Sequence, residues 1–210
     1  MPGRGSLAAE EVLDRFRRRG ALLEGHFLLS SGLHSSVYFQ SALLLQHPAD
    51  AEALGCALAE RVREQLQASP GAESAQLVIA PALGGIVIGH ELARALGIRS
   101  LFAERQAGRM ALRRGFRIEP GERAVVCEDV VTTGGSAREV ADLVRREGGD
   151  VAVTAALVDR GTTLRSGMPV AALARLAAPT HEPAECPLCA AAVPLVKPGS
   201  RQDPPRQGEQ

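Results

Sequence analysis

The sequence predicts an α/β protein with a central, mostly parallel β-sheet, because short apolar runs alternate with helical stretches along much of its 210 residues. The runs are apolar throughout, which is typical of strands that are covered on both faces. The composition agrees, since 22 glycines and 45% apolar residues favour closely packed backbones. With only 3% aromatic residues, a surface that stacks nucleic-acid bases is not expected.

The elements follow in order along the chain. Residues 1–45 are predicted to hold a helix over residues 7–19, which Gly20 ends, and a pair of strands around a polar turn at residues 30–35. Residues 46–195 are predicted to form the α/β core, which begins with a helix from Pro48 to about Gln67. The polar, Pro/Gly-rich residues 196–210 are expected to be partly disordered.

Within the core, the apolar runs predict four strands and the stretches between them predict two helices. The strands are expected at residues 77–80, 100–103, 124–127 and 151–158, and the helices at residues 85–96 and 136–147. In parallel sheets, binding sites form at the carboxyl ends of the strands. We therefore expect the functional residues just after residues 80, 103, 127 and 158.

Charge and cysteine usage exclude several classes of function. The 24 basic and 24 acidic side chains cancel, so no global field would hold a polyanion such as a nucleic acid. The sequence contains no apolar run long enough to span a membrane, and its four cysteines are too few for a disulfide scaffold, so a cytoplasmic protein is expected. Lys197 is the only lysine, which leaves no lysine chemistry outside the C-terminal tail.

Residues 125–136 carry the strongest chemical signal. An apolar strand leads into two carboxylates, Glu128 and Asp129, and then into a Thr/Gly/Ser turn that opens a helix. Such a helix N-terminus is suited to a phosphate group, and the carboxylates before it would repel phosphate unless they face ribose hydroxyls or hydrated Mg²⁺. The segment therefore predicts a site for ribose 5-phosphate, although a plain βα turn capped by Ser136 is the alternative.

This segment resembles the phosphoribosyl diphosphate (PRPP) signature of type I phosphoribosyltransferases, and four further stretches resemble orotate phosphoribosyltransferases. Residues 25–39 are similar to the hood that closes over the base in that family, and residues 80–86 to its diphosphate-binding loop. Residues 103–116 look like its mobile catalytic loop, and residues 158–161 like the strand end whose arginine pairs with orotate. The resemblance covers about residues 20–165 and implies the type I phosphoribosyltransferase fold with a small N-terminal hood.

The resemblance implies transfer of ribose 5-phosphate from PRPP to orotate, with Mg²⁺ held through the diphosphate and ribose of PRPP and only indirectly by the acid pair. It gives Asp129, Glu128 and Arg109 catalytic roles, and it places Thr132, Arg160 and Phe39 at orotate. The PRPP-binding residues would be Glu128, Asp129, Val130, Val131, Thr132, Thr133, Gly134, Gly135, Ser136, Arg105, Ala82, Leu83 and Gly84. It also implies a homodimer in which the mobile loop reaches the site of the partner subunit.

The chain departs from better-known members of that family, which carry lysines in the mobile loop, in the diphosphate loop and near the hood. Here Arg109, Leu83 and Ser30 stand at those places, which indicates a divergent branch with an arginine-rich loop. Arginines can stabilise the departing diphosphate as fixed charges but are poor proton donors. We therefore expect electrostatic help to the leaving group, and Lys197 is expected to be dispensable.

Two other functions remain open from the residues alone. A purine or xanthine phosphoribosyltransferase would need an aromatic residue after Val158 to stack on the base, and residues 161–164 offer none. A non-catalytic regulator that senses PRPP would need a DNA-binding module, for which residues 1–25 are too short.

Cys186 and Cys189 have the C-x₂-C spacing of half a zinc site. His181 is the nearest candidate for a further ligand within the chain, and a dimer could instead combine two such cysteine pairs. An incidental thiol pair and a redox pair are the alternatives to zinc. His26 and His34 flank a polar turn, where they are expected to be exposed unless they touch a ligand. Cys127 is expected to be a small core residue.

Overall fold

The computed structural model describes residues 7–29, 31–68, 74–161 and 170–198. Its strands are β1 Leu22–Leu28, β2 His34–Phe39, β3 Leu77–Pro81, β4 Arg99–Gln106, β5 Arg109–Ala111, β6 Arg123–Val131, β7 Asp150–Asp159, β8 Val170–Arg175 and β9 Thr180–His181. Its helices are α1 Ala9–Arg18, α2 Ser41–Leu45, α3 Pro48–Gln67, α4 Gly85–Leu96, α5 Gly135–Arg146 and α6 Pro187–Ala190.

A six-stranded sheet in the order β5-β4-β3-β6-β7-β8 forms the core. All neighbouring strands in it are parallel except β4 and β5, which form an antiparallel hairpin. Alternate residues of β3 enter two apolar clusters: Val78 packs with residues of α1, α3 and α4, and Ile79 packs with residues of α5. Helices cover both faces of the sheet, which explains the apolar runs at the centres of its strands. The predicted fold class is confirmed.

A second, antiparallel sheet in the order β1-β2-β9 forms the hood. Its first two strands are the predicted strand pair, whereas β9 comes from a stretch of the chain that the sequence pattern did not mark as a strand. Val196 then runs beside β1, since its N–H donates to His26 O and its carbonyl accepts from Leu28 N, both at 2.8 Å. The first residues of the predicted tail therefore lie against the hood, and residues 199–210 are outside the described part of the chain.

Ion pairs fix α1 to the start of α3. Asp50 accepts hydrogen bonds from Arg15 Nη1 and Arg19 Nε, both at 2.8 Å. Within the described ranges, no helix is both long and apolar enough to cross a lipid bilayer.

Candidate active site

A cleft of about 620 Å³ lies where the hood meets the carboxyl ends of β6 and β7. The hood, the turn after β6, the end of β7 and the C-terminal segment all contribute to its wall. The lining residues are Leu28, Leu29, Ser31, Tyr38, Phe39, Arg105, Glu128, Asp129, Val130, Val131, Thr132, Thr133, Gly134, Gly135, Ser136, Glu139, Arg160, Lys197 and Pro198.

The turn from β6 to α5 forms one wall of the cleft and presents backbone N–H groups suited to an anion. Gly134 has a φ of 72°, a left-handed conformation that strains residues with a Cβ. The N–H of Arg138 donates to Gly134 O at 2.9 Å, so the N–H groups of residues 135–137 precede the first intrahelical bond and are available to a ligand. The helix begins one residue before the predicted Ser136, and its N-terminus faces the cleft.

The acid pair stands at the end of β6, beside that turn. Glu128 is only 8% exposed, and burial raises its pKa well above the ordinary value, with a further rise from the charge of Asp129. Burial also raises the pKa of Asp129. Both carboxylates thus lie where a positive charge or a hydroxyl donor would stabilise their ionised forms.

The predicted diphosphate loop adjoins the acid pair. A Cβ added to Gly84 would lie 2.9 Å from Asp129 Oδ2, so a larger residue there would displace the carboxylate of Asp129. Leu83 is 84% exposed, and the peptide bond between Ala82 and Leu83 is cis. These three residues flank the cleft rather than line it.

Arg160 follows β7 and brings a buried positive charge to the cleft. Its side chain is nearly inaccessible, at 4% exposure, and burial lowers its pKa. Its Nη2 donates to Ser35 Oγ at 2.8 Å and to Ala178 O at 3.3 Å. Its Nε has no hydrogen-bond partner among the residues that the structure describes, which leaves the guanidinium ready for an anionic ligand.

The arginines of the predicted mobile loop do not all reach the cleft. Arg105 lines it and pairs with Glu139 of α5 at 2.9 Å. Arg114 binds both carboxylate oxygens of Glu104, at 2.9 and 3.0 Å, and lies over the ring of Phe102. Arg109 is exposed on β5 and is not part of the cleft wall. The structure therefore brings Arg105, but not Arg109, to the acid pair of its own chain.

The aromatic side chains of β2 divide between the core and the cleft. The ring of Phe39 packs edge-on against Phe16, with centroids 5.0 Å apart, and Phe39 is 6% exposed. Tyr38 points from the opposite face of the strand and is half-buried, and burial raises its pKa, helped by the charge of Asp129. Tyr38, which the resemblance places in the hood without a binding role of its own, is thus an aromatic ring beside the acid pair.

Sequence reasoning also missed Ser35, Glu139 and Lys197. The structure places Lys197 in the cleft wall, contrary to the expectation that the only lysine lies away from the chemistry in a polar tail. Two contacts explain its position, since the N–H and the carbonyl of the preceding residue, Val196, are both hydrogen-bonded to β1. Cys127 is fully buried in the core as predicted.

Comparisons with known proteins give the family of the chain. The model of the phosphoribosyl transferase domain matches residues 42–166. An orotate phosphoribosyltransferase of Carboxydothermus hydrogenoformans is 51% identical over 189 residues, which cover 89% of this chain and 95% of the relative. One from Pelotomaculum thermopropionicum is 48% identical over 197 residues, covering 93% of this chain and 100% of the relative.

A solved structure supports the same family. The crystal structure of orotate phosphoribosyltransferase from Aeropyrum pernix superposes with a TM-score of 0.65 and 28% identity, covering 79% of this chain and 93% of that one. The matched domain spans more than half of the chain, and the curated relatives match it almost from end to end. The chain therefore belongs to the phosphoribosyltransferase family and, within it, to the orotate phosphoribosyltransferases.

Proposed function

We propose that the enzyme transfers ribose 5-phosphate from PRPP to N1 of orotate, giving orotidine 5′-monophosphate and diphosphate for pyrimidine nucleotide synthesis. One observation carries the proposal. A single cleft combines a helix N-terminus, an acid pair and the buried guanidinium of Arg160. These three features match the phosphate, the ribose and the carboxylate of the two substrates.

The 5-phosphate is bound by the turn between β6 and α5. The backbone N–H groups at the start of α5 point toward the cleft, and the helix dipole adds positive potential there. The hydroxyls of Thr132, Thr133 and Ser136 supply further donors, and all three residues line the cleft. Val130, Val131 and the two glycines contribute through the backbone.

Glu128 and Asp129 hold the ribose. Their carboxylates accept hydrogen bonds from the ribose hydroxyls and stabilise the positive charge that grows at C1 as the bond to diphosphate breaks. Glu128 is buried and Asp129 is half-buried in the structure. Their field at a developing cation is therefore stronger than it would be in solvent.

Arg160 orients orotate. A planar guanidinium binds a carboxylate through two parallel hydrogen bonds, and Ser35 fixes one edge of this guanidinium. Thr132 lies on the same wall of the cleft, and Phe39 borders it from the hood. We propose that the half-buried ring of Tyr38 adds an aromatic surface beside the base.

The diphosphate leaves past Ala82, Leu83 and Gly84, with Arg105 close to it. Oxygen ligands of carboxylates and phosphates are those that Mg²⁺ prefers, and the donor set at the end of β6 consists of such oxygens, so the residues fit a Mg²⁺ ion that PRPP carries in. When bound, Mg²⁺ neutralises charge on the diphosphate. Glu128 and Asp129 would hold it mostly indirectly, through the ribose.

We further propose a cytoplasmic homodimer in which the loop after β4 acts on the partner subunit. Arg109 lies outside the cleft of its own chain, which supports a catalytic role in trans. In a two-fold dimer each loop would then complete the other site. Arg109 would stabilise the departing diphosphate as a fixed charge.

The test is turnover of orotate in the presence of PRPP and Mg²⁺, followed by the loss of orotate absorbance. Asp129→Asn is expected to lower kcat by about 100-fold or more. Asp142→Asn is the matched control, because Asp142 is an exposed carboxylate on α5 that pairs with Arg145. Turnover of a purine base but not of orotate, or binding of PRPP without turnover of any base, would overturn the proposal.

A further inference from the structure

We propose that His26, His34, Cys186 and Cys189 form a tetrahedral zinc site that joins the hood to the C-terminal segment. One ligand atom from each of the four residues lies within 4.8 Å of the others. His26, His34 and Cys186 are buried, at 2%, 4% and 3% exposure, while Cys189 is exposed. The candidate ligand that the sequence offered, His181, is not in this set, and the expectation that both hood histidines are exposed is wrong.

The separations between the ligand atoms match those around a zinc ion. Zn–N bonds of about 2.0–2.1 Å and Zn–S bonds of about 2.3 Å at tetrahedral angles put two nitrogens about 3.3 Å apart, and a nitrogen and a sulfur about 3.6 Å apart. His26 Nε2 lies 3.0 Å from His34 Nδ1. Cys186 Sγ and Cys189 Sγ lie 3.5 and 3.8 Å from His26 Nε2, and Cys189 Sγ lies 3.3 Å from His34 Nδ1.

A contact outside the cluster prepares His26 as a ligand. Its Nδ1 lies 2.8 Å from the carbonyl oxygen of Val193. A carbonyl only accepts, so Nδ1 carries the proton and the lone pair of Nε2 points toward the two sulfurs. Metal-binding histidines are typically oriented by such a donation from the other ring nitrogen.

The fold assembles the site from two distant stretches of the chain. His26 and His34 lie on adjacent strands of the hood, where their rings are 4.9 Å apart. Cys186 precedes α6 and Cys189 lies within it, so one short turn presents both sulfurs. His181 pairs with His34 across β2 and β9, yet its ring nitrogens are outside the group of converging ligand atoms.

The metal would hold the segment that follows α6 against the hood. That segment includes Val193, whose carbonyl orients His26, and Val196, whose N–H and carbonyl are both hydrogen-bonded to β1. Lys197 and Pro198 come next and line the cleft. A zinc ion at this position would therefore anchor one wall of the active site without touching the substrates.

The chemistry favours a metal over a redox pair. A disulfide between Cys186 and Cys189 would leave both imidazoles without a role, whereas all four donors converge in the structure. Two thiolates and two imidazoles are a standard ligand set for structural zinc. Zinc needs no oxidant or reductant, and its binding releases only the thiol protons.

The test is zinc binding by the full-length chain, reduced and stripped of metal, in competition with a chromophoric chelator. We expect one Zn²⁺ per chain. Cys189→Ser is expected to weaken binding by at least about 100-fold, because losing even an outer partner of a ligand costs about 10–100-fold. Cys56→Ser and His181→Asn are the matched controls, since Cys56 is an exposed cysteine outside the cluster, and both should bind zinc like the wild type.

Substitution of zinc by Co²⁺ adds a spectroscopic readout. The wild type should show thiolate-to-cobalt charge transfer and the intense visible bands of a tetrahedral site, and Cys189→Ser should lose about half of the charge-transfer intensity. Circular dichroism checks that each variant is folded. A reduced, folded wild type that binds no stoichiometric zinc, or equal zinc binding by Cys189→Ser and Cys56→Ser, would overturn the proposal.

Discussion

Replacing Arg160 by alanine gives the most direct test of how orotate is held. The guanidinium is buried, burial lowers its pKa, and its Nε has no hydrogen-bond partner among the described residues. Arg160 has no ion-pair partner among the residues that the structure describes, and a buried charge in that state is costly, so a bound carboxylate would compensate for that penalty. We therefore expect Arg160→Ala to act mainly on orotate binding.

The magnitude follows from the hydrogen bonds that the variant removes. Each charge-assisted hydrogen bond contributes about 1.5–3 kcal/mol, and the two hydrogen bonds that Arg160 makes to Ser35 and Ala178 both come from Nη2, which leaves other donors of the fork for orotate. Some of that energy is recovered because the alanine variant lets water reach the carboxylate. A net loss of about 3 kcal/mol corresponds to a rise in the orotate KM of about 100-fold.

The assay is steady-state loss of orotate absorbance, with the KM for orotate and for PRPP measured separately. Arg160→Lys should fall between the wild type and Arg160→Ala, because lysine keeps the charge but loses the planar fork. Ser35→Ala should raise the orotate KM only slightly, since it removes one hydrogen bond to Arg160 and no charge. A folded Arg160→Ala variant with an orotate KM within about threefold of the wild type would refute the reasoning, because a single neutral hydrogen bond contributes as much.

Three further predictions concern the loop, the C-terminal segment and the core. The Arg109→Ala and Asp129→Asn variants can be mixed and their subunits allowed to exchange. If Arg109 acts in trans in a two-fold dimer, the mixture should regain about one quarter of wild-type activity. No recovery would mean that Arg109 acts in cis. Lys197→Ala should raise the KM for orotate or for PRPP, the two anionic substrates, about 3–10-fold, and removal of zinc should have the same effect. If the kinetics of Lys197→Ala are unchanged, Lys197 is dispensable. The hydrogen bond from Arg99 holds the pKa of Glu122 below its ordinary value. Ionised Glu122 therefore stabilises the fold at pH values above the unfolded pKa of about 4.3. That stabilisation is lost as the pH falls through the folded pKa. Urea unfolding of the wild type and Glu122→Gln should therefore differ at pH 7, and the difference should shrink as the pH falls below about 4. A difference as large at about pH 3 as at pH 7 would contradict this role.

The parts of the fold that the sequence predicted well are those built from neighbouring residues. The helix predicted at residues 85–96 is α4 with the same bounds, and the four predicted core strands are all present. An apolar run followed by a glycine turn and an amphipathic helix is one local unit, so its pattern is visible within about 30 residues. The acid pair and the turn after it were predictable for the same reason, since residues 128–136 form one wall of the cleft without help from distant segments.

The opposite wall of the cleft and the cysteine-histidine cluster depend on contacts between the two ends of the chain. Cys186 and His26 are separated by 160 positions and yet lie 3.5 Å apart, whereas His181, the histidine nearest to the C-x₂-C pair in sequence, is not in the cluster. Sequence distance was the wrong criterion, because antiparallel pairing of β1, β2 and β9 brings the C-terminal segment back to the hood. The number of possible zinc ligands in the sequence could have predicted the cluster. Two histidines flank one turn and two cysteines flank another, and together they make a four-ligand set for zinc. The same pairing leads Lys197 into the cleft, so the structural metal site and the position of the only lysine have one common cause.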